Sequence, residues 1–301
     1  MVYVIFCDSG FPHKEPDYMY TEEYEAAKAL GIAISLLSYE ALVKEGDAHA
    51  ATRRIPHSDT PKTAIYRGWM LRPMEYTALY EALLAKNIQL LNSPAQYRFA
   101  HYLPENYPTI ANYTAKSSYL PLSYPTETLD EEKIIQTVSI FGDKPIIIKD
   151  YVKSLKHHWE EACFIHSAAD KAEVLRKAQR FLELQGPDLN EGLVFREFLE
   201  LEPIGLHPES NMPLTKEYRL FILDGKLIQA YPYWDEIDYQ EEQPAWTVFE
   251  QLFSKINSRF FTMDIAQTKA GAWVIMELGD GQVSGLPERA DKETFYKALV
   301  F

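Results

Sequence analysis

The sequence has few of the features that mark secreted, membrane-spanning or duplex-binding proteins. Its two cysteines, Cys7 and Cys163, provide neither a disulfide framework nor a metal-binding spacing, which fits a reducing cytoplasm. No apolar run approaches the ~20 residues needed to cross a bilayer. The opening segment MVYVIFCDSG lacks a basic region and becomes polar too soon for a secretory signal. We therefore expect a cytoplasmic protein that does not enter a membrane.

An excess of basic residues is also missing. The net charge of −14 argues against a duplex nucleic-acid partner, because affinity for a duplex depends on a basic surface. It does not exclude a nucleotide pocket, where a few local cations suffice. With 301 residues, of which 47% are apolar and 25% charged, the chain has the composition of a soluble globular protein. Its length favours two or three packed subdomains.

The first 92 residues alternate between predicted strands and helices. Short apolar runs predict strands at 2–6, 32–37, 64–66 and 88–91. Helices are predicted at 21–30, with Thr21 as the N-cap and Gly31 after the end, and at 73–86. This order favours a mostly parallel sheet, in which ligands bind beyond the carboxyl ends of the strands. Asp8 and Arg67 follow such ends and are candidate substrate contacts. The alternatives are a turn aspartate and a surface arginine.

A domain boundary is predicted at residue 92, where Ser93 and Pro94 open a helix that reaches about residue 102. We expect domains at 1–92 and 93–301, with the second divided near residue 190. Beyond the boundary, the pattern predicts helices at 131–141, 168–184 and 246–255, strands at 144–149 and 192–195, and a hairpin with an Asp-Gly turn at 217–228.

The segment FFTMDIAQTKAGAWVIMELGDGQVSGLP predicts a second hairpin, with strands at 259–267 and 272–278 followed by the turn Gly279-Asp280-Gly281. Asp264 and Glu277 stand alone among its apolar residues. An ionised carboxylate without a partner there would cost several kcal/mol. Two carboxylates facing each other across a hairpin offer the oxygen ligands that Mg²⁺ takes, usually together with phosphate oxygens. The hairpin therefore predicts a Mg-nucleotide site.

Five features follow one another in the second part of the chain. They are Lys149 at the end of a buried strand, a basic loop, an acidic linker after the strand at 192–195, Arg219 on a hairpin, and the two carboxylates. In this order they resemble the ATP-grasp family, and specifically its small bacterial and phage members. The resemblance covers roughly residues 93–290. It implies an α/β (α+β) protein in which two α+β subdomains clasp ATP, preceded by a small parallel-sheet domain.

The resemblance also implies a set of nucleotide contacts. Lys149 would meet the phosphates, and a sheet-edge lysine is the alternative. The phosphate-covering loop, glycine-rich in the family, has no glycine at 150–158, so its role would pass to Lys153, Ser154 and Lys156. The linker residues Glu197, Phe198 and Leu199 would hold adenine, and either Glu200 or Glu202 the ribose. Arg98 would face the nucleotide, or is an ordinary helix-surface residue.

For the reacting end, the resemblance makes Arg219 and Lys149 catalytic and Asp264 and Glu277 metal ligands. Arg219 would bind the γ-phosphate or an acyl phosphate, and a cross-strand ion pair is the alternative. The family usually has an asparagine two residues after the second carboxylate. Gly279 stands there, so either Asp280 takes its place or a second Mg²⁺ is held more loosely.

The implied reaction is ATP-dependent ligation of a carboxylate to an amine through an acyl phosphate, with ATP and Mg²⁺ as cofactors. The substrate would be an amino acid, a peptide or a protein end, bound near Arg67 and Asp8. A small-molecule kinase on the same fold and a non-catalytic ATP-binding module are the alternatives. Neither cysteine is placed as a nucleophile. Many relatives are dimers, which leaves a homodimer open.

Overall fold

Four parallel strands in the order β2-β1-β3-β4 begin the chain in its computed structural model. The structure describes residues 2–11, 13–122, 129–208, 213–237, 239 and 244–299. Its packing gives two units, residues 1–100 with 204–265 and 277–301, and residues 101–203 with 266–276. The boundaries expected at residues 92 and 190 stay predictions.

The parallel sheet belongs to the first unit and confirms the predicted α/β class. Its strands and helices alternate as β1 Tyr3–Cys7, α1 Thr21–Ala29, β2 Ala33–Leu37, α2 Tyr39–Val43, α3 Ala48–Ala51, β3 Lys62–Arg67, α4 Pro73–Leu84, β4 Ile88–Leu90 and α5 Pro94–His101. Helix α1 packs against the C-terminal helix, whereas α2 and α3 pack against α4. The central strand β1 is buried along its whole length, so the hydrophobic effect fixes its place between β2 and β3.

The ends of two helices test the predicted caps. Gly31 takes a positive φ of 68° and donates its N–H to Lys28 O (3.0 Å), which confirms that it ends α1. Ser93 and Gln96 cap α5 reciprocally, because each side chain accepts from the other residue's backbone N–H (3.3 and 2.9 Å). The Thr21 cap is wrong. Thr21 is already helical, and a 3₁₀ turn at Tyr18–Tyr20, capped by Asp17, leads into α1.

A second sheet of the first unit, in the order β12-β11-β13-β14, carries the predicted hairpins. The elements from residue 203 onward are β9 Pro203–Leu206, β10 Pro213–Thr215, β11 Glu217–Leu223, β12 Lys226–Pro232, α9 Glu250–Phe253, β13 Phe260–Gln267, β14 Trp273–Asp280 and α10 Lys292–Ala298. The Asp224-Gly225 turn joins β11 to β12 as predicted. The predicted turn at 279–281 is wrong in its start, because β14 continues through Asp280.

The second unit is built on a sheet in the order β5-β8-β6-β7. Its elements are α6 Leu103–Ile110, β5 Ser117–Pro121, α7 Glu131–Val138, β6 Ile146–Asp150, β7 Phe164–Ile165, α8 Lys171–Gln185 and β8 Gly192–Glu197. One face of β6 and β8, with Ile146, Ile148, Leu193 and Phe195, packs into a core with α7 and α8. Helix α6 and strand β5 have no counterpart in the predicted pattern.

Candidate active site

Arg219 on β11 and Asp264 on β13 form a two-pronged ion pair between neighbouring strands. Arg219 Nε donates to Asp264 Oδ1 (2.8 Å) and Nη2 donates to Oδ2 (2.7 Å). Only 9% of the Asp264 side chain and 22% of the Arg219 side chain are exposed, so the pair is little screened by solvent. The Arg219 guanidinium also lies 5.1 Å from the centre of the Tyr233 ring.

The charge of Arg219 is held in place by these neighbours. Burial by itself would lower the pKa of the guanidinium, but the Asp264 carboxylate outweighs burial and raises it, with further contributions from Tyr233 and Glu277. Nη1 donates to Gly285 O (3.2 Å), so three of the five N–H groups are used. Within the described part of the chain, two N–H groups are left for an oxyanion.

Glu277 on β14 lies on the same face of this sheet as Asp264. Gly281 N donates to Phe260 O (3.0 Å), so residues 281 and 260 oppose each other across the hairpin. Gly279 opposes Thr262, because a Cβ on Gly279 would lie 2.8 Å from Thr262 Oγ1. Side chains alternate along a strand, so the next pair on that face is Glu277 and Asp264. Glu277 is exposed at this position.

The position expected to carry a third metal ligand has no room for a side chain. The same Cβ on Gly279 would also lie 3.0 Å from Ser284 Oγ. The Thr262 and Ser284 hydroxyls hydrogen-bond each other at 2.8 Å and fill this space beside Asp264. Two hydroxyl oxygens therefore lie where the resemblance led us to expect an asparagine side chain.

Asp280, the expected substitute ligand, lies in a different environment. It is fully buried, and its carboxylate accepts from Asn92 Nδ2 (2.5 Å) and from Gln282 N and Nε2 (2.9 and 3.1 Å). Burial raises its pKa to about 6, although these hydrogen bonds favour the charged form. Asn92 also accepts from the N–H groups of Arg259 and Phe260. These contacts tie β14 to the region after β4 and give the metal assignment no support.

Arg67, a predicted substrate contact, is wholly buried. Its Nε and Nη2 donate to Glu23 (2.8 and 2.7 Å), and its Nη1 donates to the carbonyls of Gly281, Gln282 and Ser284 (3.0, 2.9 and 2.9 Å). Tyr296 OH donates to the same Glu23 carboxylate (2.7 Å). Arg67 thus anchors the segment after β14, and this geometry gives no support to a substrate role.

Asp8, the other predicted substrate contact, is also covered. It follows β1, and only 1% of its side chain is exposed. His13 Nδ1 (2.7 Å) and Arg54 Nη2 (2.6 Å) both contact its Oδ2. Neither His13 nor Arg54 was a sequence candidate, because a loop and a helix end bring them to Asp8 from 5 and 46 residues away. No motif or periodicity signals such a meeting.

Lys149 in the second unit lies on the sheet face opposite the α7–α8 core. It pairs with Val194 on β8, and Ile147 pairs with Arg196, which puts Lys149 and Arg196 on one face. Both are buried. Arg196, absent from the sequence candidates, donates to the carbonyls of Met276 (2.6 Å) and Ile275 (3.1 Å) and to Thr114 Oγ1 (2.5 Å). It thereby fixes the tip of the β13–β14 hairpin within this unit.

The loop after Lys149 is organised by a buried aspartate. Asp150 accepts from the backbone N–H of Val152 (2.7 Å) and Lys153 (2.5 Å) and from Asn190 Nδ2 (2.7 Å). Lys153 is exposed and Ser154 half-buried. A carboxylate here provides the local hydrogen bonds that hold a tight turn, so the loop keeps its shape without glycine.

The predicted adenine linker leaves the end of β8. Glu197 accepts from Lys144 Nζ (2.7 Å), and Phe198 N donates to Pro145 O (3.0 Å). Leu199 is half-buried. Phe198 packs against Phe164, with ring centres 5.0 Å apart, and Trp159 stacks on Phe164 at 5.6 Å. This aromatic cluster gives the linker an apolar wall of the kind that flat heterocycles stack on.

The two candidate ribose carboxylates differ in their contacts. Glu200 is exposed and pairs with Lys269 Nζ (3.3 Å). Glu202 is half-buried, and its backbone N–H donates to Gln267 O (2.8 Å). In the first unit, Arg98 is half-buried on α5. The choice between Glu200 and Glu202 and the nucleotide role of Arg98 stay predictions.

Two searches of the described residues bear on metals and membranes. No cluster of three or more His, Cys, Asp or Glu side chains able to hold a metal ion occurs in the ranges that the structure describes. Asp264 and Glu277 are thus a pair of carboxylates, with hydroxyls beside them. No helix in the described part of the chain combines the length and apolar character needed to cross a membrane.

Comparison with known protein families is decisive for the kind of protein. A family model described as an ATP-grasp domain, the third family of its clade, matches residues 140–299, more than half of the chain. This chain belongs to that ATP-grasp family. No curated protein matches it in sequence.

Solved ATP-grasp structures share the fold over nearly the whole chain. D-cycloserine synthetase DcsG aligns with a TM-score of 0.60 at 15% identity and covers 99% of this chain and 98% of its own. D-alanine–D-alanine ligase from Bacillus anthracis aligns at 0.59 and 12%, covering 99% and 91%. The ATP-grasp ligase PsnB, complexed with a minimal precursor, Mg and ADP, aligns at 0.53 and 15%, covering 99% and 96%. These similarities confirm the predicted ATP-grasp fold.

Proposed function

We propose that this ATP-grasp protein is an ATP-dependent carboxylate–amine ligase that forms an amide or peptide bond through an acyl phosphate. Its substrates would be amino acids, peptides or a protein end. The observation that carries the proposal is the Arg219–Asp264 pair with Glu277 on the same sheet face. It combines a fixed guanidinium with two carboxylates, and these are the groups that bind phosphate oxygens and Mg²⁺.

The nucleotide would be held mainly by the second unit. Lys149 offers a point charge to the phosphates, and Lys153 and Ser154 offer donors from the ordered loop. Adenine would lie against the Phe198 cluster, with the Leu199 backbone and the Glu197 carboxylate at its edge. Glu202 is our choice for the ribose hydroxyls, because Glu200 is already paired with Lys269.

Asp264 and Glu277 would hold Mg²⁺, whose chemistry is to neutralise the phosphate charge and orient the phosphates. Both Asp264 oxygens accept from Arg219, and each keeps a further lone pair for a metal. The hydroxyls of Thr262 and Ser284 supply further oxygens beside Asp264. These residues fit a Mg²⁺ that completes its octahedron with phosphate oxygens and water.

The proposed reaction needs positioning and charge neutralisation more than a nucleophilic side chain. A substrate carboxylate oxygen attacks the γ-phosphorus, the bond to the bridging oxygen breaks, and ADP leaves. An amine nitrogen then attacks the acyl carbon, the carbon–oxygen bond breaks, phosphate leaves and the amine loses a proton. Arg219 and Lys149 would stabilise the negative charge on the transferred group.

One observation favours a second candidate, a non-catalytic ATP-binding module. The position of the expected third ligand is Gly279, and the described residues hold no three-member metal cluster. Such a module would bind Mg-ATP without turning it over. The names of DcsG, PsnB and D-alanine–D-alanine ligase describe synthetases and ligases, which supports ligation over a simple kinase.

Hydroxylamine trapping tests the proposal. The protein would be incubated with Mg-ATP, hydroxylamine and a panel of free amino acids and short peptides, and hydroxamates would be identified by mass spectrometry. We expect an ATP- and carboxylate-dependent hydroxamate, lost in Glu277→Gln and kept in Glu81→Gln, an exposed helix glutamate in the same unit. A stable phosphorylated product would indicate a kinase. ATP binding without any product would indicate the non-catalytic module.

A further inference from the structure

The loop after β1 forms a small built site around Asp8. The loop folds on itself, with Ser9 N donating to Glu15 O (3.0 Å) and Asp8 bridging to Pro16. At its tip His13 holds a φ of +60°, which is uncommon for a residue other than glycine. Arg54 donates through Nη1 to His13 O as well as through Nη2 to Asp8 Oδ2. Three side chains from two segments therefore fix one another.

This site lies where the sheet topology favours a ligand. In the order β2-β1-β3-β4, the chain leaves β1 toward one edge of the sheet and leaves β3 toward the other. The carboxyl ends of β1 and β3 are thus the switch point, beside which open α/β sheets bind ligands. Asp8 directly follows β1, and the loop from Gly68 to Arg72 follows β3.

The two side chains that cover Asp8 present complementary groups. The Asp8 oxygen that accepts from Arg54 also contacts His13 Nδ1, and a carboxylate only accepts, so Nδ1 carries the proton. His13 Nε2 then presents a lone pair. Arg54 presents its remaining N–H groups, and 31% of the His13 side chain and 35% of the Arg54 side chain are exposed. Because both touch the same Asp8 oxygen, an acceptor and a cation stand side by side.

Apolar side chains flank this pair. The Phe11 ring is 91% exposed, and its centre lies 6.2 Å from that of His13. Tyr18 and Met19 on the same loop and Trp69 on the loop after β3 are also exposed. Trp69 Nε1 donates to Asp17 Oδ2 (3.0 Å), which ties the two loops together. Large exposed apolar side chains concentrated at one sheet edge are typical of a binding site.

We propose that the Asp8–His13–Arg54 site binds a free α-amino acid with an apolar side chain, the amine substrate of the proposed ligase. The carboxylate would pair with Arg54, the amine would donate to His13 Nε2, and the side chain would pack on Phe11. Amine and carboxylate lie on one carbon of an α-amino acid, which matches the adjacency of His13 and Arg54. This inference rests on the proposed function for the role of the amino acid, but not for its binding.

Binding can be measured without nucleotide. Ligand-observed NMR and calorimetry would compare L-phenylalanine with L-phenylalaninamide, which lacks the carboxylate, and with 3-phenylpropionate, which lacks the amine. Each lost charge-assisted hydrogen bond should weaken binding about 10- to 100-fold. Arg54→Gln should weaken L-phenylalanine to the level of the amide. His13→Gln should weaken it to the level of 3-phenylpropionate.

Matched controls separate this site from general surface effects. Arg53→Gln and His57→Gln change exposed residues nearby and should leave the affinity unchanged. Since Arg54 supports the buried Asp8, Arg54→Lys, which keeps the charge and loses the planar fork, and a thermal unfolding midpoint for each variant guard against misfolding. A folded Arg54→Lys protein should still lose affinity.

The inference is overturned if L-phenylalanine does not bind, if the amide binds equally well, or if Arg54→Gln and Arg53→Gln behave alike. Its failure is distinguishable from failure of the ligase proposal. A hydroxamate formed from another substrate would leave the ligase standing while this site falls. Amino-acid binding at His13 and Arg54 without ATP turnover would leave the site standing while the ligase falls.

Discussion

The Arg219 guanidinium and the Asp264 carboxylate hold each other through two hydrogen bonds of 2.8 and 2.7 Å. The cation proposed for phosphate and the carboxylate proposed for Mg²⁺ are therefore one structural unit. A second pair of the same geometry, Arg259 with Asp224, is exposed (2.8 and 2.9 Å). The chain thus contains its own control for what the location of the pair contributes.

Arg219→Lys should reduce ATP turnover about 100-fold. Lysine keeps the charge, but it cannot hold Asp264 with two prongs and still face an oxyanion. Steady-state release of ADP measures the effect. Arg259→Lys, at the exposed pair, should turn over ATP like the unchanged protein. Equal losses in the two variants would contradict the assignment of Arg219.

Asp264→Asn should lower the free energy of unfolding by about 2–4 kcal/mol, because it leaves the largely buried Arg219 without a counter-charge. The matched change Asp224→Asn, with 47% of the Asp224 side chain exposed, should cost less than about 1 kcal/mol. Urea denaturation of both variants measures the difference. Equal costs would show that burial of the Arg219–Asp264 pair has no energetic consequence.

Gly279→Ala should destabilise the protein by about 1–3 kcal/mol, because the new Cβ would meet Thr262 Oγ1 at 2.8 Å. In a Thr262→Ala background the same change should cost at least about 1 kcal/mol less, which a double-mutant cycle detects. Gly285→Ala is the control, since a Cβ there has nothing within 4 Å. If Gly279→Ala and Gly285→Ala cost the same, hydroxyls do not fill the third-ligand position.

Some of this site could be predicted from the sequence. Asp264 and Glu277 stood out because single carboxylates in apolar strands need partners, and the family order of features then indicated Lys149 and Arg219. The face on which each residue lies depends on register, however. Gly279 opposes Thr262 in the β13–β14 hairpin, and no local signal shows that hydroxyls replace the missing asparagine.

Long-range partners explain the rest of what the sequence could not reveal. Arg67 follows a strand as a ligand-binding residue would, yet its partners Glu23 and Gly281 lie 44 and 214 residues away. Asp280 likewise finds Asn92 across 188 residues. Strand β5 and helix α6 escaped prediction because SSYLP has little alternation and LPENYPTI contains two prolines.

Asp280 should make stability depend on pH. Its pKa is raised by burial from 3.8 to about 6, so the folded state holds the proton more tightly than the unfolded state. The stability gained from protonation is fully present below pH 3.8 and lost as pH rises through about 6. Relative to Asp280→Asn, the protein should lose about 3 kcal/mol across this window. Urea denaturation at several pH values measures this difference, and a constant difference would contradict the raised pKa.

Lys149→Met should weaken Mg-ATP binding about 10- to 100-fold, because a charge-assisted contact with phosphate is lost. Lys133→Met, at a lysine 65% exposed on α7, is the control and should leave the affinity unchanged. Calorimetry with a non-hydrolysable ATP analogue provides the measurement. An unchanged affinity in Lys149→Met would remove Lys149 from the nucleotide site.

Transfer of oxygen from the carboxylate to phosphate tests the central claim most directly. The protein would be incubated with Mg-ATP and a mixture of the twenty amino acids labelled with ¹⁸O in their carboxyl groups. Breakdown of an acyl phosphate by an amine leaves one carboxylate oxygen on the phosphate, so mass spectrometry should detect inorganic phosphate carrying one ¹⁸O. Inorganic phosphate released without label, or no release at all, would contradict a ligase that works through an acyl phosphate.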